Sequence, residues 1–249
     1  MTLKYYHAEP AANSFKSMVP LIEKGLPWQS IYVDLHKFEQ HEPWFLAINP
    51  EGQVPVLDHD GVIITHTSVI NEYLEDVFPE VPLRPRDPVG AARMRYWNKF
   101  CDEQVMNYVS IHGWHIMVSK IARSIEIGEF EQLLERIPLP DQRNKWRAAR
   151  SGFNQAELAY ATEKVGYAAD KAEKQLAETA WIAGNEYTLA DINFFAYCFA
   201  GMGIERMFPE LEIGKRCPRL VAWRDRMLSR PAVKRVLAGE DRTVPGLRT

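Results

Sequence analysis

The chain has 249 residues, 46% of them hydrophobic and 25% charged, and its 30 basic residues against 33 acidic ones give a formal net charge of −3. That length buries a sizeable core, in one large domain or two modest ones, and the charge balance lacks the concentrated basic face of a nucleic-acid binder. The cysteines Cys101, Cys198 and Cys217 have neither paired nor metal-ligand spacing, which argues against a disulfide framework and a zinc site. No apolar run is long enough to span a membrane, and the start has no signal-peptide pattern, so the expectation is a cytoplasmic protein with no metal, membrane or nucleic-acid partner.

In chain order, "LKYYHA" reads as a short strand and "AANSFKSMVPLIEKGL" as a helix, with Phe15, Met18, Val19 and Ile22 at helical spacing and Gly25 as its stop. "SIYVDL" is a second β-rich run, so strand, helix and strand suggest a parallel pair with a crossover helix. "EPWFLAINP" reads as one helical turn. "GQVPVLDHDGVIITHT" reads as two strands joined at Asp60-Gly61, a hairpin signal, and "TSVINEYLEDVFP" as a helix with Val69, Ile70, Tyr73, Leu74 and Val77 on one face. Residues 1–80 thus form a small α/β domain. "PEVPLRPRDP", with four prolines in ten residues, makes 81–88 a stiff linker.

Residues 89–249 show no convincing strand. "AARMRYWNKFCDEQVMNYVSIHGWHIMVSKIA" predicts a long helix, "RIPLPDQ" breaks a charged middle region, and "NQAELAYATEKVGYAADKAEKQLAE" resumes a helical pattern. "YTLADINFF" offers Thr188 as N-cap and Asp191 three residues on, a capping box with Asp in place of Glu, flanked by Tyr187 and Ile192 as a hydrophobic staple. The helix it starts is apolar almost all round and should be the buried spine of an all-α second domain.

Pro55 interrupts a strand-like run, although it cannot complete a sheet ladder. A trans proline on an edge strand is the commoner solution; a cis bond would hold the backbone away from the sheet and leave Val54 to pair with an extended, peptide-like ligand. The order of elements around it favours the second.

"NPEGQVPVLDHDG" followed by "TSVINEYLEDVFP" resembles the glutathione-binding half of a glutathione S-transferase, and "TLADI" with "CPRLVAWRDRMLSRPAVKRVL" resembles its helical half. The resemblance covers essentially the whole chain, with a longer middle segment near 118–165, and implies a thioredoxin-like α/β domain followed by an all-α domain. "MTLKYY…ANSFK", "KFEQHEPWF" and "KWRAARSGF" are similar to the bacterial β-etherases, which use glutathione to cleave β-aryl ethers of lignin-derived aromatics. The activity so implied is displacement of a phenolate from an α-keto β-aryl ether by the glutathione thiolate, glutathione being a cosubstrate. A generic glutathione transferase or dehalogenase is the rival.

A free thiol has a pKa of about 8.5, and lowering it by about two units requires about 2.7 kcal/mol of anion stabilisation. "AANSF" at the start of the first helix offers Ser14 as first choice for thiolate donor and Asn13 as second, unless Ser14 merely caps that helix. The lack of a cysteine there disfavours disulfide exchange, and Tyr6 is a minor candidate. By resemblance Gln40, Gln53, Val54, Pro55, His66 and Thr67 hold the tripeptide. Where the family normally has an acid to pair with the γ-glutamyl ammonium, this chain has His66, which brings no negative charge. Two outcomes stay open: another group compensates, or the site is degenerate and the chain serves in a heterodimer with a paralogous transferase chain. A homodimer is the family alternative. "NYVSIHGWHIM" puts Tyr108, His112 and His115 on one helical face with Trp114 nearby, a candidate aromatic pocket or plain core packing. The long segment with Pro138, Pro140, Trp146 and Arg147 reads as a lid.

Overall fold

The structure is a computed structural model and describes residues 2–8 and 12–241. The α/β half begins with β1 (Leu3–His7), α1 (Ala12–Glu23), β2 (Gln29–Tyr32) and the single turn α2 (Pro43–Leu46). It continues with β3 (Val56–His59), β4 (Val62–Thr65) and α3 (Thr67–Val77). The sheet runs β2-β1-β3-β4: β1 pairs in parallel with β2, as a crossover helix between them requires, and antiparallel with β3. The β3–β4 hairpin turns at Asp60 and Gly61, both with positive φ, as the Asp-Gly pair demands. Gly25 ends α1 at φ +64.

The buried face of α3 differs from the expected one. Ile70 and Leu74 are buried, but Val69 and Val77 are exposed, and Thr67, Asn71 and Glu75 take their place inside. The reason is polar. The Glu75 carboxylate accepts from the Leu83 and Arg84 amides and pairs with buried Lys24 at 2.7 Å, while Lys24 also donates to the carbonyls of Phe78 and Val81. This clamp fixes the proline-rich segment after α3, and the Leu83 carbonyl then accepts from the Leu189 amide in the second half. A search for apolar periodicity has no means of seeing it.

The helical half opens with a nearly continuous rod: α4 (Pro88–Phe100), α5 (Met106–Gly113) and α6 (Ser119–Ser124), joined by the π-helical turns Cys101–Val105 and Trp114–Val118. The middle segment forms α7 (Ile127–Arg136) and α8 (Pro140–Ser151), the Ile137–Leu139 break falling at the prolines. These two helices close a small core of their own around Phe130, Leu134 and Ala149, with Trp114 and Trp146 packed against it. Next come α9 (Gln155–Gln175), α10 (Leu189–Cys198), the short α11 (Ile204–Met207) and α12 (Ile213–Arg216), then α13 (Pro218–Ser229) and α14 (Pro231–Ala238).

Every residue of α10 is buried. Its capping box is present: Thr188 accepts from the Ala190 amide, and Asp191 accepts from that of Thr188 at 2.9 Å. Asp191 also takes hydrogen bonds from the Ile182 amide and the Trp223 indole, yet full burial lifts its pKa to about 6 against those donors. The spine joins the two halves, since Phe195 packs on Phe15 of α1 with ring centroids 5.4 Å apart.

Candidate active site

A cleft of about 230 Å³ opens where the ends of β3, α1 and α3 face the middle of the α4–α6 rod at Asp102 and Met106. The first-half wall is built from three local devices. Asn49, after α2, donates from its side-chain amide to the Gln53 carbonyl at 2.8 Å and so shapes the turn that carries Glu51 and Gln53. The Val54–Pro55 bond is cis, the expected alternative to an edge proline, and both residues line the cleft. The third device is the start of α3, where Thr67 and Ser68 also line it. The first amides of a helix have no partner within it and favour an anion at that end.

His66 sits immediately before α3 at φ +64 and also faces the cleft. Its imidazole brings no negative charge, but Glu51 does. The Glu51 carboxylate lies 3.5 Å from His66 Nε2, and both side chains are largely exposed to the cleft. The negative charge expected at position 66 is therefore present beside it, on the preceding turn.

The other wall depends on a network that sequence reading missed. Lys16, on α1 and fully buried, donates to Asp102 at 2.6 Å and to the Tyr197 hydroxyl at 3.0 Å. Asp102, in the first π-helical turn, also accepts from Ser68 and from the Asn193 amide. Burial lowers the Lys16 pKa despite the pull of Asp102. Burial would raise that of Asp102, but Lys16, Ser68 and Asn193 outweigh it and hold the carboxyl below its usual range. The asymmetry follows from position, since the Lys16 side chain is sealed and the Asp102 side chain is 31% exposed, opening to the cleft. Tyr197, with its lone pair taken by Lys16, donates to Asn13 Oδ1 at 2.8 Å. This fixes the Asn13 amide with its oxygen inward and its NH₂ free to donate.

Of the two residues considered for the thiolate, Asn13 lines the cleft and Ser14 does not. Ser14 is buried, its hydroxyl accepting from the Ala8 amide at 3.0 Å and its carbonyl from the Tyr5 hydroxyl at 2.8 Å. It ties the end of β1 to the start of α1. Gln53, Val54, Pro55, His66 and Thr67 come together in the cleft, whereas Gln40 is buried away from it with an unpartnered Oε1 among the described residues.

Tyr108, His112 and His115 do share a helical face, but that face is turned towards α9 and its surroundings. Tyr108 packs edge-on against Tyr160, His112 lies tilted against Phe208 with centroids 4.3 Å apart and near Thr162, and His115 meets Phe153. None of the three lines the cleft. Met106 and Asp102, two and six positions before Tyr108, do so instead. Trp114 faces the middle segment, edge-on to Trp146, which in turn packs at 5.0 Å on Phe38 of the first half. Only two signals pointed to the missed residues: Lys16 is the one charge in the apolar run of α1, and Glu51 lies inside the quoted "NPEGQVP" stretch. Nothing local marks Asp102 or Tyr197.

A four-stranded mixed sheet with a cleft at a helix N-terminus, backed by an all-helical half, is the architecture of the glutathione S-transferases, and the chain belongs to that family. Residues 1–76 match the family model of the glutathione S-transferase N-terminal domain and residues 126–231 that of the C-terminal domain. Within the family it is 44% identical over 240 residues to Protein LigF of Sphingobium sp. (strain NBRC 103272 / SYK-6), spanning 94% of this chain and 92% of that one. The crystal structure of beta-etherase LigF from Sphingobium sp. strain SYK-6 matches with a TM-score of 0.90 and 43% identity, over 96% of this chain and 99% of that one. Glutathione transferase F7 from Populus trichocarpa, at 24% identity, 96% and 99% coverage and a TM-score of 0.74, shares the fold.

Proposed function

We propose that the chain is a glutathione-dependent β-etherase. The observation that carries this is the cleft itself: Gln53, Val54 and the first turn of α3 on one wall, and Asn13 with its amide NH₂ turned outward on the other. The full-length likeness to LigF, whose structure is described as that of a beta-etherase, supports the choice of reaction.

In this reading the γ-glutamyl carboxylate lies against the Thr67 hydroxyl and the opening amides of α3, and its ammonium lies against Glu51. Val54 pairs with the tripeptide backbone beside Gln53. The thiol loses its proton to solvent, and Asn13, rather than Ser14, donates to the resulting thiolate. Sulfur then attacks the carbon bearing the aryloxy group. A C–S bond forms, the C–O bond breaks, and its electron pair departs with the phenolate, leaving a glutathione thioether α to the ketone. Asp102 stays anionic through its partners and discourages a second anion next to it, which steers the thiolate towards Asn13.

Glu51 removes the reason for regarding the site as degenerate, so a self-sufficient chain is favoured over one dependent on a heterodimeric partner. For association with a second copy, Val62, Ile63 and Val69 are exposed on β4 and α3. Val89 and Tyr96 are exposed beside a groove of about 740 Å³ between α4 and α9. The first of these faces is apolar, whereas the groove also carries Arg93, Lys171, Lys174 and Glu178, so a pairing of first half with second half sets apolar side chains against a mixed surface. Calorimetric titration of glutathione into the chain alone, followed by assay of phenol release from an α-keto β-aryl ether, tests the reading. Micromolar binding and release of phenol are expected; no binding to the chain alone would restore the heterodimer, and turnover of small halides only would favour the dehalogenase.

A further inference from the structure

Lys145 on α8 is a half-buried cation whose direct polar partner is neutral. Its ammonium donates to the Ser110 hydroxyl at 2.9 Å and lies 5.5 Å from the centre of the Trp114 ring. Burial lowers its pKa, opposed by the charge of Asp141 on the same helix. A lysine held by a hydroxyl and an indole is a poor stabilising device, because it gives up hydration without gaining a counter-charge. The arrangement makes sense if an anion visits.

The position is suited to one. Met106 lines the cleft, and Ser110 follows it by one turn on α5, about 6 Å further along the rod. The neighbouring Trp146 rests on Phe38, and Arg136 on α7 pairs with Glu42, so α7 and α8 are fastened to the first half beside Ser110. Around the Ser110–Lys145 contact stand Trp114 and, edge-on to it, Trp146 with Phe38 packed on it, and Lys145 supplies a positive charge among these rings.

We propose that Lys145 receives the leaving phenolate, donating a proton to its oxygen as the C–O bond breaks. The proposal rests on the etherase reading above. In a direct displacement the ketone oxygen finishes uncharged, whereas the phenolate oxygen gains a full negative charge, so the cation belongs at the latter. The ammonium proton passes to that oxygen, the phenol leaves neutral, and the amine recovers a proton from water. A phenol titrates near 10, and burial of the ammonium favours handing its proton to that oxygen.

The test uses the full chain with two ethers of one ketone, one releasing 2-methoxyphenol and the other the far more acidic 4-nitrophenol, and the variants Lys145→Met and Lys145→Arg. Lys145→Met should lose about 100-fold in kcat/KM on the methoxyphenyl ether and less than about tenfold on the nitrophenyl ether, with glutathione affinity by calorimetry unchanged. Lys145→Arg, which keeps the charge but cannot release a proton, should show the same bias to a smaller degree, and it carries the test if the Met variant does not fold. An equal loss on both ethers, or none, would overturn the assignment while leaving the etherase reading intact. Parent protein that binds glutathione yet cleaves neither ether would sink that reading, and this role with it.

Discussion

The two walls of the cleft are held in different ways. The first-half wall consists of turns and a helix start, shaped by contacts within a few residues: Asn49 to Gln53, the Val54–Pro55 bond, and His66 leading into α3. The opposite wall consists of long side chains that fix one another across large separations: Lys16 with Asp102 and Tyr197, and Tyr197 with Asn13. A wall of the first kind binds through backbone groups and tolerates substitution of many side chains. A wall of the second kind orients one functional amide, and every link in it matters.

The largest effect should come from the link that meets substrate. Asn13→Ala is expected to raise the pKa of bound glutathione and to cost about 100-fold in kcat/KM at neutral pH, as loss of a donor to a reacting anion does. Ultraviolet absorbance of the bound thiolate across a pH series reads the first effect directly. Tyr197→Phe leaves the amide in place but removes what aims it, and should cost about tenfold. Ser14→Ala should lower the unfolding free energy by about 1 kcal/mol for its lost hydrogen bond to Ala8, read by chemical denaturation, with little change in the thiolate titration. The opposite ranking of Asn13 and Ser14 would move the donor onto the local β1–α1 junction and erase the contrast between the walls.

The next effect belongs to the first-half wall. Glu51→Gln should weaken glutathione about 5- to 20-fold by calorimetry, a change of about 1–2 kcal/mol for a cleft-facing charge pair. His66→Glu alone should add little, since Glu51 already supplies the charge. Placed on top of Glu51→Gln it should recover most of the lost affinity, because the two acids would serve one ammonium and their effects should not add. If His66→Glu tightens binding equally in both backgrounds, Glu51 is not the compensating acid.

What could be read from the sequence follows the same division. The β1–α1–β2 crossover, the Asp60-Gly61 hairpin, the Thr188–Asp191 capping box and the buried α10 are all short-range patterns, and each appears in the fold. So do Gln53, Val54, Pro55, His66 and Thr67 on the first-half wall, which fall in two continuous stretches, whereas Glu51 was missed and Gln40 lies away from the cleft. The inner face of α3 did not yield, since Glu75 and Asn71 are buried for the sake of Lys24, the linker amides and the Lys16 carbonyl rather than by hydrophobicity. The face holding Tyr108, His112 and His115 was found, but periodicity gives a face without saying which neighbour it meets, and the neighbour is α9. Lys145 could not have been found at all. Its meaning depends on α8 folding back onto Ser110 and Trp114, a contact 35 residues away.

The smallest predicted effect separates the two regions by pH. Each has a buried histidine whose pKa is lowered chiefly by burial: His41 beneath the first-half wall, lowered to about 4 with help from the Arg136 charge, and His112 against Phe208 in the helical half. Both are favoured neutral in the fold and charge readily once unfolded. For His41 the associated stability is fully present above pH 6.5 and is lost as the pH falls towards 4, at a limiting slope of about 1.4 kcal/mol per pH unit for one proton. Only His41 touches the cleft's support. Its ring packs against Gly52, where even a Cβ would lie 2.7 Å from the imidazole, and Gly52 leads directly into Gln53 and Val54. Charging His41 must therefore disturb the binding turn, whereas charging His112 should loosen α5 against its neighbours and leave the turn alone. With a pKa of about 4 in the fold, His41 charges chiefly below pH 5, so His41→Gln should flatten the decline of glutathione affinity between pH 5 and 4 by about twofold relative to the parent, and His112→Gln should not. His66 faces the cleft in all three proteins, so it cannot produce a difference between them. Equal flattening by both variants would mean that the helical half, and not the Gly52 turn, governs the cleft at low pH.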